Sequence, residues 1–257
     1  MNQSLSLTLV QTDLEWQNAA ANLRLFDTIL DSIEKTDLVI LPEMFSTGFS
    51  MASGKLAEPM NGDSVKWLER VSSEKQIAIC GSLIITDGGK FFNRFVLAQP
   101  DSDLVTYDKK HLFRMSTEDE NYSAGAERII FNINGFKICP QICYDLRFPA
   151  WTRNFDDYDV LLFVANWPAV RRTHWLSLLQ ARAIENQSWV VGVNRTGTDG
   201  NDVEYAGDSV VFDFNGHKML DLEHKEQIGT VVFNISDLEN YRGTFPAWRD
   251  RDHYQIR

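Results

Sequence analysis

The sequence predicts a layered α/β sandwich, and three observations carry that expectation. Short apolar runs alternate with segments of helical spacing along the whole chain. Those runs end in Pro, Gly, Asn or Asp, the residues that turn a chain. No Ser/Gly/Pro-rich linker and no repeat of fixed period divides the sequence, so one domain over residues 1–257 is expected. Layers of strands and helices around one core satisfy all three.

The elements follow in order. Leu5, Leu7 and Leu9 alternate with Ser4, Ser6 and Thr8, which marks a half-buried strand. Leu23, Phe26, Ile29, Leu30 and Ile33 fall at helical spacing. The run Leu38-Val39-Ile40-Leu41 is a short buried strand stopped by Pro42. A helix over residues 64–75 turns Val65, Leu68 and Val71 inward, with Ser64 as its expected N-cap. Strands over 77–85 and 92–98 flank an Asp87-Gly88-Gly89 turn, and strands over 129–133 and 136–144 flank Asn134-Gly135, a strong hairpin signal. A buried strand over 159–165 precedes a helix over 174–187. Strands over 189–193, 209–214 and 228–235 complete the set, with Asn215-Gly216 expected to turn between the last two.

Composition narrows the function classes. Forty-four percent of the residues are hydrophobic, enough for a large core. Acidic residues outnumber basic ones 36 to 25, for a formal net charge of −11, and no Lys/Arg cluster exceeds a pair. Such a chain makes a poor partner for nucleic acid or an anionic membrane. Three cysteines, Cys80, Cys139 and Cys143, are too few for a disulfide framework. The segment from Met1 to Ser6 lacks the basic and apolar regions of a signal peptide, and no apolar run approaches about 18 residues, so a cytoplasmic protein is expected.

Several polar residues sit where buried strands end, the usual place for sites in layered α/β proteins. Glu43 follows the run ending at Pro42, Cys143 closes Ile138-Cys139-Pro140-Gln141-Ile142, and Asn166-Trp167 follows 160–165. A cysteine nucleophile needs a base and a group that stabilises oxyanion charge. Among five histidines, His217 and His224 fall in or near a hairpin and His253 in the tail. A carboxylate in an apolar pocket can serve instead, because desolvation disfavours its charged form, and Glu43 beside Pro42, Met44 and Phe45 is such a candidate. Cys80 and Cys139 lie inside apolar strands and read as small hydrophobes.

Three segments together carry a family resemblance. Leu41-Pro42-Glu43-Met44-Phe45, Tyr107-Asp108-Lys109-Lys110-His111-Leu112-Phe113 and Ile142-Cys143-Tyr144-Asp145-Leu146-Arg147-Phe148-Pro149 resemble, in order and spacing, the signature segments of the nitrilase superfamily. Arg182-Ala183-Ile184-Glu185-Asn186-Gln187, Asn194-Arg195 and Gly207-Asp208-Ser209 extend the resemblance over nearly the entire chain. Within the superfamily the Cys-Tyr-Asp-Leu-Arg-Phe-Pro string is most similar to omega-amidases, among them the bacterial 2-oxoglutaramate amidases.

The resemblance implies a four-layer αββα sandwich of the nitrilase type, a homodimer, and hydrolysis of the terminal amide of 2-oxoglutaramate or 2-oxosuccinamate through a cysteine thioester. It implies Cys143 as nucleophile, Glu43 as general base, Lys109 as oxyanion donor and Glu118 as a second glutamate that orients the lysine or the amide. The pattern Lys-x-His-Leu-Phe selects Lys109 over Lys110, and alternation of extended residues lets only one of the two face the cysteine. The backbone N–H of Tyr144 would complete the oxyanion site. Arg147 would bind the carboxylate remote from the scissile bond, and Trp167 would cover the substrate. Asn166-Trp167-Pro168 with Arg171-Arg172 departs from the animal and yeast pattern and leaves Arg171 as an extra carboxylate ligand. Arg182 and Glu185 read as a structural ion pair three apart on a helix, and Phe245-Pro246-Ala247-Trp248 as an apolar anchor at an interface. No cofactor or metal is implied, and the partner is a small amide. The alternatives are another amidase or an N-carbamoyl hydrolase of the superfamily, or a non-catalytic binding member.

Overall fold

A computed structural model describes residues 3–155, 157–252 and 254, so the tail histidine His253 lies outside the described residues. The first half of the chain runs β1 (Ser4–Gln11), α1 (Ala19–Asp31), β2 (Leu38–Ile40), α2 (Ser53–Leu56), α3 (Asp63–Lys75), β3 (Ala78–Asp87), β4 (Lys90–Ala98) and β5 (Val105–Asp108). Next come α4 (Glu118–Asn121), β6 (Phe131–Ile133), β7 (Phe136–Ile142), α5 (Pro149–Thr152), β8 (Val160–Ala165), α6 (Arg172–Asn186) and β9 (Trp189–Asn194). The rest is β10 (Thr196–Thr198), β11 (Glu204–Ala206), β12 (Val210–Phe212), β13 (Lys218–Asp221), β14 (Gln227–Asn234) and α7 (Ile235–Thr244).

Two six-stranded sheets result, in the orders β14-β1-β2-β3-β4-β5 and β13-β12-β9-β8-β7-β6. The centre of each is parallel, β1-β2-β3 in one and β7-β8-β9 in the other, and antiparallel strands close the flanks. Leu5, Leu7 and Leu9 point into the space between the sheets, as their alternation demands, where they join Ile138, Leu161 and Val191 in one buried cluster. Trp189 of β9 stacks on Phe233 of β14 across that space, ring centroids 4.6 Å apart. The outer face of the first sheet packs against α1 and α3 through Phe26, Leu30, Val65, Leu68 and Val71. The outer face of the second is covered by α6, whose Trp175 and Leu179 lie so close to β9 that a Cβ on Gly192 would meet Leu179 at 2.5 Å. The αββα order expected from the sequence is therefore the observed one.

Four local expectations are corrected. Helix α3 begins one residue early, at Asp63; Ser64 is not its cap, and its backbone N–H instead donates to the Glu58 carboxylate at 2.8 Å. The strand expected over 136–144 stops at Ile142, because Cys143 takes φ +44° and starts a 3-10 turn, Cys143–Arg147. Asn215-Gly216 leads into β13 of the same sheet, whereas β14 crosses to the other sheet and pairs with β1. Ile235, expected to end β14, instead starts α7.

Candidate active site

The ends of four central strands and of the edge strand β5 converge on one place. Glu43 lies just beyond β2, Lys109 follows β5, Cys143 follows β7, Asn166 follows β8, and Asn194 ends β9. Parallel strands present their C-terminal ends on the same side, so residues far apart in sequence meet there. The loop after β2 reverses at Met44, φ +44°, and is tied to β3 by the Phe45 N–H donating to the Ser82 carbonyl. Lys109 is held from both sides: its N–H donates to the Asn93 carbonyl, and its carbonyl accepts from the Gly125 N–H. Gly125 approaches so closely that a Cβ there would meet the Asp108 carbonyl oxygen at 2.1 Å, which is why glycine stands at that position.

Glu43, Lys109 and Glu118 form a buried charged cluster. Lys109 Nζ donates to Glu43 Oε1 and to both oxygens of Glu118, each at 2.9 Å. Burial works against the lysine's charge, but Glu118 first and Glu43 second outweigh it, so Lys109 is held protonated more firmly than a free lysine. Burial, opposed by Lys109 and assisted by Glu43, pushes Glu118 upward. Glu43 Oε2 accepts from the Asn166 N–H at 2.7 Å. Cys143 Sγ lies 3.9 Å from the Asn166 carbonyl. Burial and the Glu43 charge push the thiol well above the ordinary cysteine range, against Lys109. A nucleophilic role for this sulfur would need a base beside it.

Cys143 and Lys109 line a cavity of about 880 Å³, together with Tyr144, Arg147, Trp167 and Arg171. The four residues expected at the substrate thus share one space with Cys143 and Lys109. Arg147 leans over the Trp167 ring at 4.9 Å, and one nitrogen lies 3.0 Å from His174 Nδ1. It pairs with no carboxylate among the described residues. Asp145, the nearest acid in sequence, is taken by Tyr107, His111 and the Ile142 N–H. Arg171 lies over the Phe113 ring at 5.3 Å, while Arg172 turns away and pairs with Asp208. Trp167 is fixed by its Nε1–H donating to the Arg171 carbonyl. Lys110 points elsewhere, over Trp151. Arg182 pairs with Glu185 at 3.0 Å, as expected, and also donates to the Leu146 carbonyl, which braces the turn that carries Cys143.

Asn93 is absent from the sequence-based set, and Asn166 figures there only as a polar residue at a strand end, with no partner assigned. Asn93, wholly buried in β4, donates to both glutamates. Asn166 contacts Glu43 through both its backbone and its side-chain amide. An asparagine in the apolar run Phe91 to Ala98 was the available signal for the first, since a buried amide demands partners. Among the described residues, no group of three or more His, Cys, Asp or Glu side chains is arranged to hold a metal ion, and no helix is long and apolar enough to cross a membrane.

The model of the carbon–nitrogen hydrolase family matches residues 6–243. The chain is 45% identical over 254 residues to the omega-amidase YafV of Yersinia enterocolitica, covering 98% of this chain and 99% of the relative. It is 30% identical over 251 residues to the 2-oxoglutaramate amidase of Bacillus subtilis, covering 95% and 96%. Among solved structures, a CN-hydrolase superfamily protein from Xanthomonas campestris, with an arsenic adduct in its active site, superposes with a TM-score of 0.96 at 42% identity over 99% of both chains. With a buried cysteine, lysine and glutamate pair at the ends of two facing sheets, and with a family match spanning most of its length, the chain belongs to the carbon–nitrogen hydrolase family.

Proposed function

We propose that this carbon–nitrogen hydrolase is an omega-amidase that cleaves the terminal amide of 2-oxoglutaramate, and of 2-oxosuccinamate, to the 2-oxo dicarboxylic acid and ammonia. The observation that carries the substrate class is Arg147, a guanidinium with no carboxylate partner among the described residues, four residues beyond Cys143 in the same cavity. A substrate whose carboxylate lies at the end remote from its amide could engage both. The relatives named omega-amidase and 2-oxoglutaramate amidase support the same reading.

The chemistry follows from the cluster. Glu43 takes the Cys143 proton as sulfur attacks the amide carbon, and the C–S bond forms. The oxyanion is held by Lys109 and the backbone N–H of Tyr144, the kind of fixed donors that stabilise charge only as it develops. Glu43 returns the proton to nitrogen, the C–N bond breaks, and ammonia leaves a thioester on Cys143. Water, deprotonated by Glu43, then attacks the thioester, the C–S bond breaks and the thiol is restored. Glu118 fixes Lys109, Trp167 covers the substrate, and Arg171 offers a second carboxylate contact.

The same proposal includes a single domain, a homodimer and a reducing, cytoplasmic setting, which suits a catalytic thiol. Ile184 on α6 and Phe245 are 49% and 58% exposed. The Gln187 side chain fastens the Phe245–Trp248 segment to the end of that helix, donating to the Phe245 carbonyl and accepting from the Trp248 N–H. Together they offer an apolar surface for a second copy.

An ammonia-release panel tests the activity: 2-oxoglutaramate should be turned over far faster than glutamine, a simple aliphatic amide or an N-carbamoyl amino acid. Preference for any of those three would replace the proposal, and carbon dioxide released with ammonia would point to carbamoylase action. Arg147 tests the substrate class. Arg147→Ala should lower kcat/KM for 2-oxoglutaramate by about one to two decades, the size of a lost charge-assisted contact. An uncharged amide of similar length should be nearly unaffected. Arg147→Lys should recover little, because it keeps the charge and loses the bidentate fork. Equal losses on both substrates would make Arg147 structural and shift the carboxylate contact to Arg171.

A further inference from the structure

A carboxylate offers about four acceptor positions, two on each oxygen, and the two buried glutamates fill them differently. Glu118 uses all four. Its Oε1 accepts from Lys109 at 2.9 Å and Asn93 at 3.2 Å, and its Oε2 from Lys109 at 2.9 Å and the Phe113 N–H at 2.6 Å. Glu43 uses three. Its Oε1 accepts from Lys109 at 2.9 Å and Asn93 at 2.7 Å, and its Oε2 accepts from the Asn166 N–H at 2.7 Å. One acceptor position is left without a nitrogen donor, on Glu43 Oε2, and the Cys143 thiol is within hydrogen-bond reach of that carboxylate.

Asn93 is the residue common to both counts. Its amide has two N–H donors, and both are used, one on each glutamate. Its carbonyl end accepts from the Ser82 hydroxyl at 2.8 Å, and that hydroxyl's oxygen accepts from the Met44 N–H at 2.9 Å. The chain of bonds fixes which way the amide faces, because a flipped amide would set its NH₂ against a donor and its oxygen against two carboxylates. The Asn93 side chain does not line the cavity, so it acts on the reaction through the glutamates, while its backbone carbonyl holds the Lys109 N–H whatever the side chain.

We propose that Asn93 is a positioning residue: by occupying Oε1 of both glutamates it confines the Cys143 proton to Glu43 Oε2 and keeps Glu118 out of the acid–base chemistry. The proposal rests on the reading of Glu43 as general base. The charged and titratable groups facing Glu43 are Lys109, Glu118 and Cys143, with the Tyr122 and Tyr205 phenols near enough to feel its charge. A donor removed from this set leaves the ionised form of the base less favoured.

The experiment is the pH dependence of kcat/KM for ammonia release, with iodoacetamide alkylation of Cys143 followed over the same range. Wild type, Asn93→Asp, Asn93→Ala, Ser82→Ala and Glu43→Gln are compared, each checked by thermal melting. Asn93→Asp keeps the side chain's shape but replaces both amide donors by a third carboxyl beside the glutamates, so Asn93→Ala is the variant that reports the lost hydrogen bonds alone. The acidic limb should move to higher pH by about one to two units in both Asn93 variants, the shift expected for a lost hydrogen bond to a charged group. KM should stay within about twofold, since Asn93 touches no substrate. Ser82→Ala should move the limb the same way by less, and it decides the matter if the Asn93 variants do not fold. A fall in kcat with the limb unmoved, or a rise in KM alone, would overturn the proposal. Turnover retained in Glu43→Gln would sink the general-base reading instead, so the two failures are separable.

Discussion

Replacing Cys143 by alanine is expected to abolish amide turnover while the protein still folds. Loss of a covalent nucleophile costs on the order of 10⁶-fold in kcat where it has been isolated in a triad hydrolase. The fold should survive because the side chain is small, sits at the end of β7 and faces the cavity. Cys143→Ser should be nearly as inactive, since a hydroxyl is a poorer nucleophile under the same base. Cys80 and Cys139, both fully buried thiols that burial pushes upward, are the controls. Serine at either should leave most activity, at some cost in stability from a buried hydroxyl. Ammonia release with a melting curve for each variant decides it. An inactive Cys139→Ser beside an active Cys143→Ser would reassign the nucleophile.

Lys109→Ala should hurt both activity and stability. Removing one oxyanion donor lowers kcat by about 10²–10³-fold. Removing one partner of a buried ion pair also strands the rest, typically at a cost of about 3–5 kcal/mol. Here the strain falls on two carboxylates that have lost their shared cation. Glu118, already pushed upward by burial, would rise further. A carboxyl raised above its unfolded value contributes stability that is present at low pH and lost as pH rises through its folded value. The variant should therefore melt higher near pH 5 than near pH 7.5. Lys110→Ala should do neither, because that ammonium lies over Trp151, away from the cluster. Similar losses at both lysines, or a melting temperature that rises with pH in the variant, would contradict the assignment.

The sequence made the layers legible because strand alternation and helical spacing report burial directly. Leu5, Leu7 and Leu9 sit between the sheets, and Val65, Leu68 and Val71 under α3, as their spacing requires. Alternation said only that one of Lys109 and Lys110 faces inward; the choice of Lys109 came from the Lys-x-His-Leu-Phe pattern of the resemblance. Partnerships across long separations were not legible. Asn93 reaches Glu43 and Glu118 from 50 and 25 residues away, and no local pattern encodes such a meeting. Boundaries set by a single backbone angle were hidden too. Nothing in Ile142-Cys143-Tyr144 says that the strand breaks at the sulfur, because the turn is enforced by Asp145, whose carboxylate gathers Tyr107, His111 and Ile142. Helix α7 was missed because Ile235 continues the apolar alternation of β14 and conceals the change of period.

The left-handed backbone at Cys143 sets chemistry and durability against each other. A side chain forced to φ +44° holds roughly 1–3 kcal/mol of unfavourable conformation. Glycine adopts that angle without steric cost, against a smaller entropic penalty on ordering its backbone. Cys143→Gly should therefore melt a few degrees above Cys143→Ala, though neither has a thiol and their side chains differ by one methyl group. Equal melting temperatures would mean the turn is unstrained. If Cys143→Gly also melts above the wild type, every copy of the gene lies one step from a tougher but inert protein. Only the demand for turnover would keep the sulfur there, and a lineage released from that demand should lose this residue early, gaining thermal resistance as it does.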